Sequence, residues 1–161
     1  MSAGTIRVYT FKDRRKLLSP VAHDLRLSLQ RFEVTRDGET VRVRCTVDGF
    51  VVDGKMVGGA VETMRDKDRR DVLDNLRKKV LKTRRHAEAT FEGTYTNGRV
   101  SGELSLVGRR AALDFELTEE AGRLQGRFDL QPTRWGIPPF KALLGAISLE
   151  DRVVVEIDVP G

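Results

Sequence analysis

Cysteine, histidine and tryptophan are nearly absent from this 161-residue chain, which has one Cys, two His and one Trp. Cys45 has no partner for an internal disulfide, which fits a reducing compartment. His23 and His86 lie in no HExxH pair and beside no cysteine, so a metal centre is not expected. Aromatics amount to 6%, and they are not interleaved with surface charge as a single-strand stacking platform needs. Long hydrophobic runs are missing as well. No segment approaches the ~20 apolar residues that span a bilayer. The opening MSAGTIRVYTF has no apolar core behind a basic start, and the default expectation is a cytoplasmic protein. A glycine-rich phosphate loop, a GxSxG elbow and a nucleotide fingerprint are all lacking. A protein that is not an enzyme, with no cofactor, is therefore expected.

Charge of one sign is in modest excess: 29 Lys and Arg face 24 Asp and Glu, a net +5. The basic groups Arg14-Arg15-Lys16, Arg77-Lys78-Lys79 and Lys82-Arg84-Arg85 are short, and solvated faces explain most of them. A weak contact with an anionic membrane is compatible with this balance; there is no strong nucleic-acid signal. No Pro/Ser-rich linker interrupts the chain, so residues 1–161 are expected to form a single domain, for which a homodimer is compatible.

What is present is alternation. In Ala87, Ala89, Phe91, Gly93 and Tyr95 the odd positions are apolar or small, and Glu88, Thr90, Glu92, Thr94 and Thr96 stand between them. Period two marks a half-buried strand. Asn97-Gly98 then supplies the positive φ angles of a type I′ hairpin turn, and Val100, Gly102, Leu104 and Leu106 resume the pattern. Two further runs, Ala111-Leu113-Phe115-Leu117 and Leu124-Gly126-Phe128-Leu130, predict an antiparallel meander of four strands over 87–131. Such a face must be covered by a second layer or by curling on itself.

The rest of the chain fits the same class. Ile6-Val8-Thr10, Leu25-Leu27-Leu29, Phe32-Val34, Val41-Val43-Cys45-Val47 and Val153-Val155-Ile157-Val159 all alternate with polar residues. The last of these suits closure against an early strand. Residues 50–59 read as a poorly specified strand pair. One long helical pattern covers 66–82, with Val72, Leu73, Leu76 and Val80 on one face, acidic residues in its first turn and lysines in its last. A short helical turn is expected near 140–144, before Gly145. The fold class is therefore all-β: an extended antiparallel barrel of about eight strands with one amphipathic helix.

A barrel of that size is filled by side chains or holds one small guest. Ala87, Ala89, Gly93, Gly102, Ala111 and Gly126 stand where larger residues would fill it, which favours room for an apolar guest. Leu25, Phe32, Phe91, Leu104, Leu106, Phe115 and Phe128 fall on inward phases as candidate lining. His23 shares the phase of the leucines that follow it. It is either a polar contact for a guest or a satisfied core histidine.

These residues resemble the YceI-like family of lipocalin-like barrels. A histidine strand at Val21–Leu29 precedes Phe32, and His86-Ala87-Glu88-Ala89-Thr90-Phe91 is similar to the family's segment before a Phe, with His86-Ala87 in place of its usual Tyr-Pro. Gly102-Glu103-Leu104-Ser105-Leu106-Val107-Gly108 matches its Gly-x-Leu-x-Leu-x-Gly strand, Arg134-Trp135-Gly136-Ile137 its Arg-aromatic-Gly-Ile, and Ile147–Ile157 its terminal strand. The resemblance implies binding or carriage of a long-chain isoprenoid or fatty amphiphile without covalent chemistry, with His23, Arg134 and Trp135 near the polar head. Two alternatives are a filled basic barrel that binds nucleic acid or an anionic membrane, and an enzyme on a lipid-like substrate with His23 as base.

Overall fold

A computed structural model describes residues 4–161. In chain order it contains β1 Thr5–Lys12, β2 Asp24–Leu29, β3 Phe32–Asp37, β4 Thr40–Thr46, β5 Phe50–Val57, β6 Ala60–Glu62, α1 Asp66–Asn75, β7 Glu88–Thr96, β8 Arg99–Leu106, β9 Arg109–Glu116, β10 Thr118–Glu120, β11 Arg123–Leu130, β12 Lys141–Ala142 and β13 Ile147–Pro160. Alternation accounts for most of these. In β4, for example, Val41, Val43 and Cys45 are half-buried while Thr40, Arg42 and Arg44 are exposed. At Asn97-Gly98 φ is 51° and 81°, the left-handed pair of the expected hairpin turn.

The strands form two antiparallel sheets and not the closed barrel expected. One has the order β10-β11-β13-β1-β2-β5-β6, with β12 also on β13; the other has the order β3-β4-β7-β8-β9. The ladder stays open at its outermost strands: five of the six residues of β3 are exposed, and β6 is only three residues long. The sheets face each other across the apolar sides of their strands. Phe115 of β9 stacks on Phe128 of β11, with ring centroids 4.2 Å apart.

Two corners join the layers. At the first, β2 passes into β3 and β4 into β5, and the crossing chains exchange bonds from Gln30 N to Gly49 O (3.0 Å) and from Thr46 N to Arg31 O (2.9 Å). At the second, the expected four-strand meander divides. β7, β8 and β9 belong to one sheet, whereas β11 pairs with β10 and β13 in the other. The change occurs at Leu117, which interrupts the strand and bonds through its N–H to Gly98 O at 2.8 Å. Gly126 is required by this corner, because a Cβ there would lie 2.5 Å from Leu117 Cδ2 and 2.6 Å from Glu116 O.

Three further expectations are corrected. The helix of 66–82 is regular only over Asp66–Asn75 and then widens into a π-turn over Leu76–Val80, in which Leu81 N bonds to Leu76 O at 2.8 Å. The helical turn expected near 140–144 shrinks to a 3-10 turn at Leu143–Gly145, broken by the left-handed Leu144 (φ 56°), and the residues before it form β12, which folds back on β13 and pairs Lys141 with Ser148 and Ala142 with Ile147. The histidine strand begins only at Asp24, after a turn at Ser19–Val21. The expected pairing of the last strand with an early one is present, β13 on β1.

Candidate functional site

Between the sheets lies a cavity of about 1120 Å³. Its wall follows the period-two phase already described: Ile6 and Val8 from β1, Leu25, Leu27 and Leu29 from β2, Phe91 from β7, Leu113 and Phe115 from β9, and Val153, Val155, Ile157 and Val159 from β13. From Leu149 to Val159 the wall on β13 runs about 33 Å at roughly 3.3 Å per residue.

Two of its borders are rims. A strand that merely faces a cavity contributes alternate residues, yet five consecutive residues of β3, Phe32 to Arg36, border this one. The free edge of β3 is thus a lip, with Pro160 and Gly161 also on the border. At the far end of β13 the consecutive residues Leu149 to Asp151 and Ile137 to Phe140 form a second lip. Leu149 N donates to Phe140 O at 3.0 Å, tying its two segments together.

The structure brings seven of the ten expected lining residues to this wall: Leu25, Phe32, Phe91, Leu104, Leu106, Phe115 and Phe128. The other three lie elsewhere. His23 is exposed, because the Ser19–Val21 turn breaks the phase that the sequence extends back from Leu25; it lies within electrostatic reach of Asp68 on α1. Arg134 is exposed, donates from Nη2 to Ala112 O (2.7 Å) and covers the Trp135 ring. Trp135 is 1% exposed, and its Nε1 donates to Leu104 O at 2.8 Å, so it fastens its loop to the β8 backbone without lining the cavity.

The expected source of the space is corrected too. Of the six small residues, only Ala89 lines the cavity. Gly93 and Gly102 face each other across β7 and β8, where a Cβ on Gly102 would lie 2.2 Å from Glu92 O and 2.8 Å from Phe91 Cζ. They allow close strand contact; the cavity comes from the separation of the two sheets.

Sequence reasoning missed several wall residues. Leu81 reaches the wall together with Leu76 only because of the π-turn: five residues of regular helix would place them about 140° apart, and the widened turn returns Leu81 to the same side. Two polar side chains join them, Asn75 and Thr10. Thr10 Oγ1 is buried and has no hydrogen-bond partner among the described residues. Cys45 also lines the cavity, and burial pushes its thiol up to about 11. Asp151 belongs to the second lip. Desolvation raises its carboxyl, but bonds from the Thr133 hydroxyl and N–H and from Gln131 outweigh that and hold it below the ordinary carboxylate range. Among the described residues, no cluster of His, Cys, Asp and Glu is suited to a metal ion, and no helix is long and apolar enough to cross a membrane.

Solved structures share this architecture. The chain is similar to BcnA of Burkholderia cenocepacia (12% identity, TM-score 0.61, covering 98% of this chain and 96% of that one). It is also similar to a polyisoprenoid binding domain from Saccharophagus degradans implicated in plant cell wall breakdown (11% identity, TM-score 0.64, covering 98% and 92%). No curated protein matches. At these identities the likeness establishes the fold alone. The family model for the YceI-like domain matches residues 21–160, nearly the whole chain, and the protein belongs to the YceI-like domain family.

Proposed function

We propose that this protein binds and carries one long apolar chain with a small polar head, an isoprenoid or fatty amphiphile, and performs no covalent chemistry on it. The observation that carries the reading is the cavity: about 1120 Å³, walled by aliphatic and aromatic side chains and bordered by a lip at each end of β13. Burying a chain there is favourable by about 25 cal/mol per Å² of apolar surface. The orphaned hydroxyl of Thr10 supports a polar head at the second lip, since a buried hydroxyl without a partner costs about 1–3 kcal/mol until something bonds to it. The Saccharophagus degradans neighbour, described as polyisoprenoid-binding, favours the isoprenoid class. An enzymatic reading rested on His23, which stands outside the cavity.

The native thiol of Cys45 provides the test. Polyprenyl analogues added to the protein should slow its alkylation in proportion to occupancy, and organic extracts of protein isolated from its host should contain a long-chain lipid. Val155→Trp, which fills the middle of the wall between Val8 and Phe128, should abolish the protection and leave the fold intact. Alkylation rates indifferent to every lipid offered, together with lipid-free extracts, would overturn the proposal.

A further inference from the structure

We infer that the loop 14–21 and the segment 141–146, which is β12 and the turn after it, form a docking tip beside the second lip, and that its partner is the surface of a phospholipid bilayer carrying anionic headgroups; this rests on the lipid-binding reading above. Leu17 is 84% exposed, Val21 62% and Leu144 109%. The two loops that carry these aliphatic side chains are fastened together, with Leu18 N bonded to Ala146 O (3.0 Å) and Asp13 N to Ser148 O (2.8 Å). Lys12 Nζ secures the first loop from below on Ser19 O at 2.9 Å.

The patch continues into the cavity. The second loop leaves the wall at Phe140, and the chain returns to the wall at Leu149, bonded to it. A lipid chain passing between a bilayer and the cavity by this route meets Ile137, Pro138, Pro139, Phe140 and Leu149. Charge selects the kind of bilayer. Lys12 at the end of β1, Arg14, Arg15 and Lys16 on the first loop and Lys141 at the start of the second segment outnumber the acidic groups beside them, Asp13, Asp24 and Glu150, the last within electrostatic reach of Arg15. An excess of positive charge around exposed aliphatics suits anionic headgroups above a hydrocarbon layer. A second copy of the chain fits less well, since three side chains fall far short of the roughly 800 Å² per partner of a stable protein interface.

The test is co-sedimentation with vesicles of phosphatidylcholine doped with phosphatidylglycerol, and with vesicles of phosphatidylcholine alone. The native protein should pellet with the doped vesicles. Leu17→Ser with Leu144→Ser, and separately Lys16→Glu with Lys141→Glu, should each lower the bound fraction about tenfold or more. Cys45 protection by a soluble polyprenyl analogue, measured without vesicles, should be unchanged in both variants. Variants that pellet like the native protein, or a native protein that stays in the supernatant, would overturn the docking tip. Equal binding to phosphatidylcholine alone would overturn the anionic assignment, and vesicle-free self-association lost in the leucine variant would replace the bilayer by a second copy. Failure of the cavity reading looks different: Cys45 protection is then absent while the variants still lose vesicle binding.

Discussion

Asp13 is buried at the base of the loop that carries Leu17, and its carboxylate accepts three hydrogen bonds from Arg15, through N, Nε and Nη2. The side-chain bond from Arg15 is the main cause that lowers its pKa to about 2. In the unfolded chain an aspartate titrates near 4. The folded value is the lower one, so the contribution to stability is complete above about pH 4 and is lost as the pH falls toward 2. The urea midpoint should therefore drop across that window, and it should drop less in Asp13→Asn, whose side chain does not titrate. Equal drops would remove Asp13 from the account. At this scale the sequence was a fair guide where a residue sat inside a strand and a poor one at strand ends. Leu25 and Phe115 followed their phase to the cavity wall. His23 did not, because extrapolating a period of two beyond the first residue of β2 assumes a straight chain that the Ser19–Val21 turn removes.

Among the elements, the π-turn after α1 has the most specific packing role. It places both Leu76 and Leu81 on the cavity wall, and Leu81 is 7% exposed. Inserting an alanine after Lys79, an exposed residue within the turn, would set the two leucines six residues apart, about 120° around a regular helix, and should swing one of them away. That costs about 2–5 kcal/mol, as for truncating a buried leucine, whereas Lys79→Ala should stay within about 0.5 kcal/mol. Chemical denaturation of the pair measures the difference, and equal midpoints would deny the turn a packing role. Neither this turn nor the exchange of sheets at Leu117 was legible in the sequence. Leu113, Phe115 and Leu117 keep one phase across the corner, and alternation tells which face of a strand is apolar without telling which neighbour it bonds. The strands themselves, the Asn97-Gly98 hairpin and the pairing of the last strand with an early one were legible, because side-chain period and turn chemistry are local.

For the whole molecule, the length of the cavity sets a prediction about ligands. Along a series of alkyl or polyprenyl chains, each buried methylene should add about 0.8 kcal/mol, roughly a fourfold gain in affinity. The gain should cease when the chain outruns a wall of about 33 Å. Competition for Cys45 protection reads the series directly, and an affinity independent of chain length would mean that the cavity does not hold the chain lengthwise. The strand that spans that length is β13, which is held on one side by β11 and on the other by β1, with Thr5 opposite Asp158. These partners are about 150 residues apart in the chain, and pairings so distant form late in folding because closing the intervening loop costs entropy before any contact repays it. In the finished fold a lipid between the sheets is covered along its length by β13 and reaches solvent end-on past a lip, so the rate of exchange is set at the lips while the affinity is set along the wall.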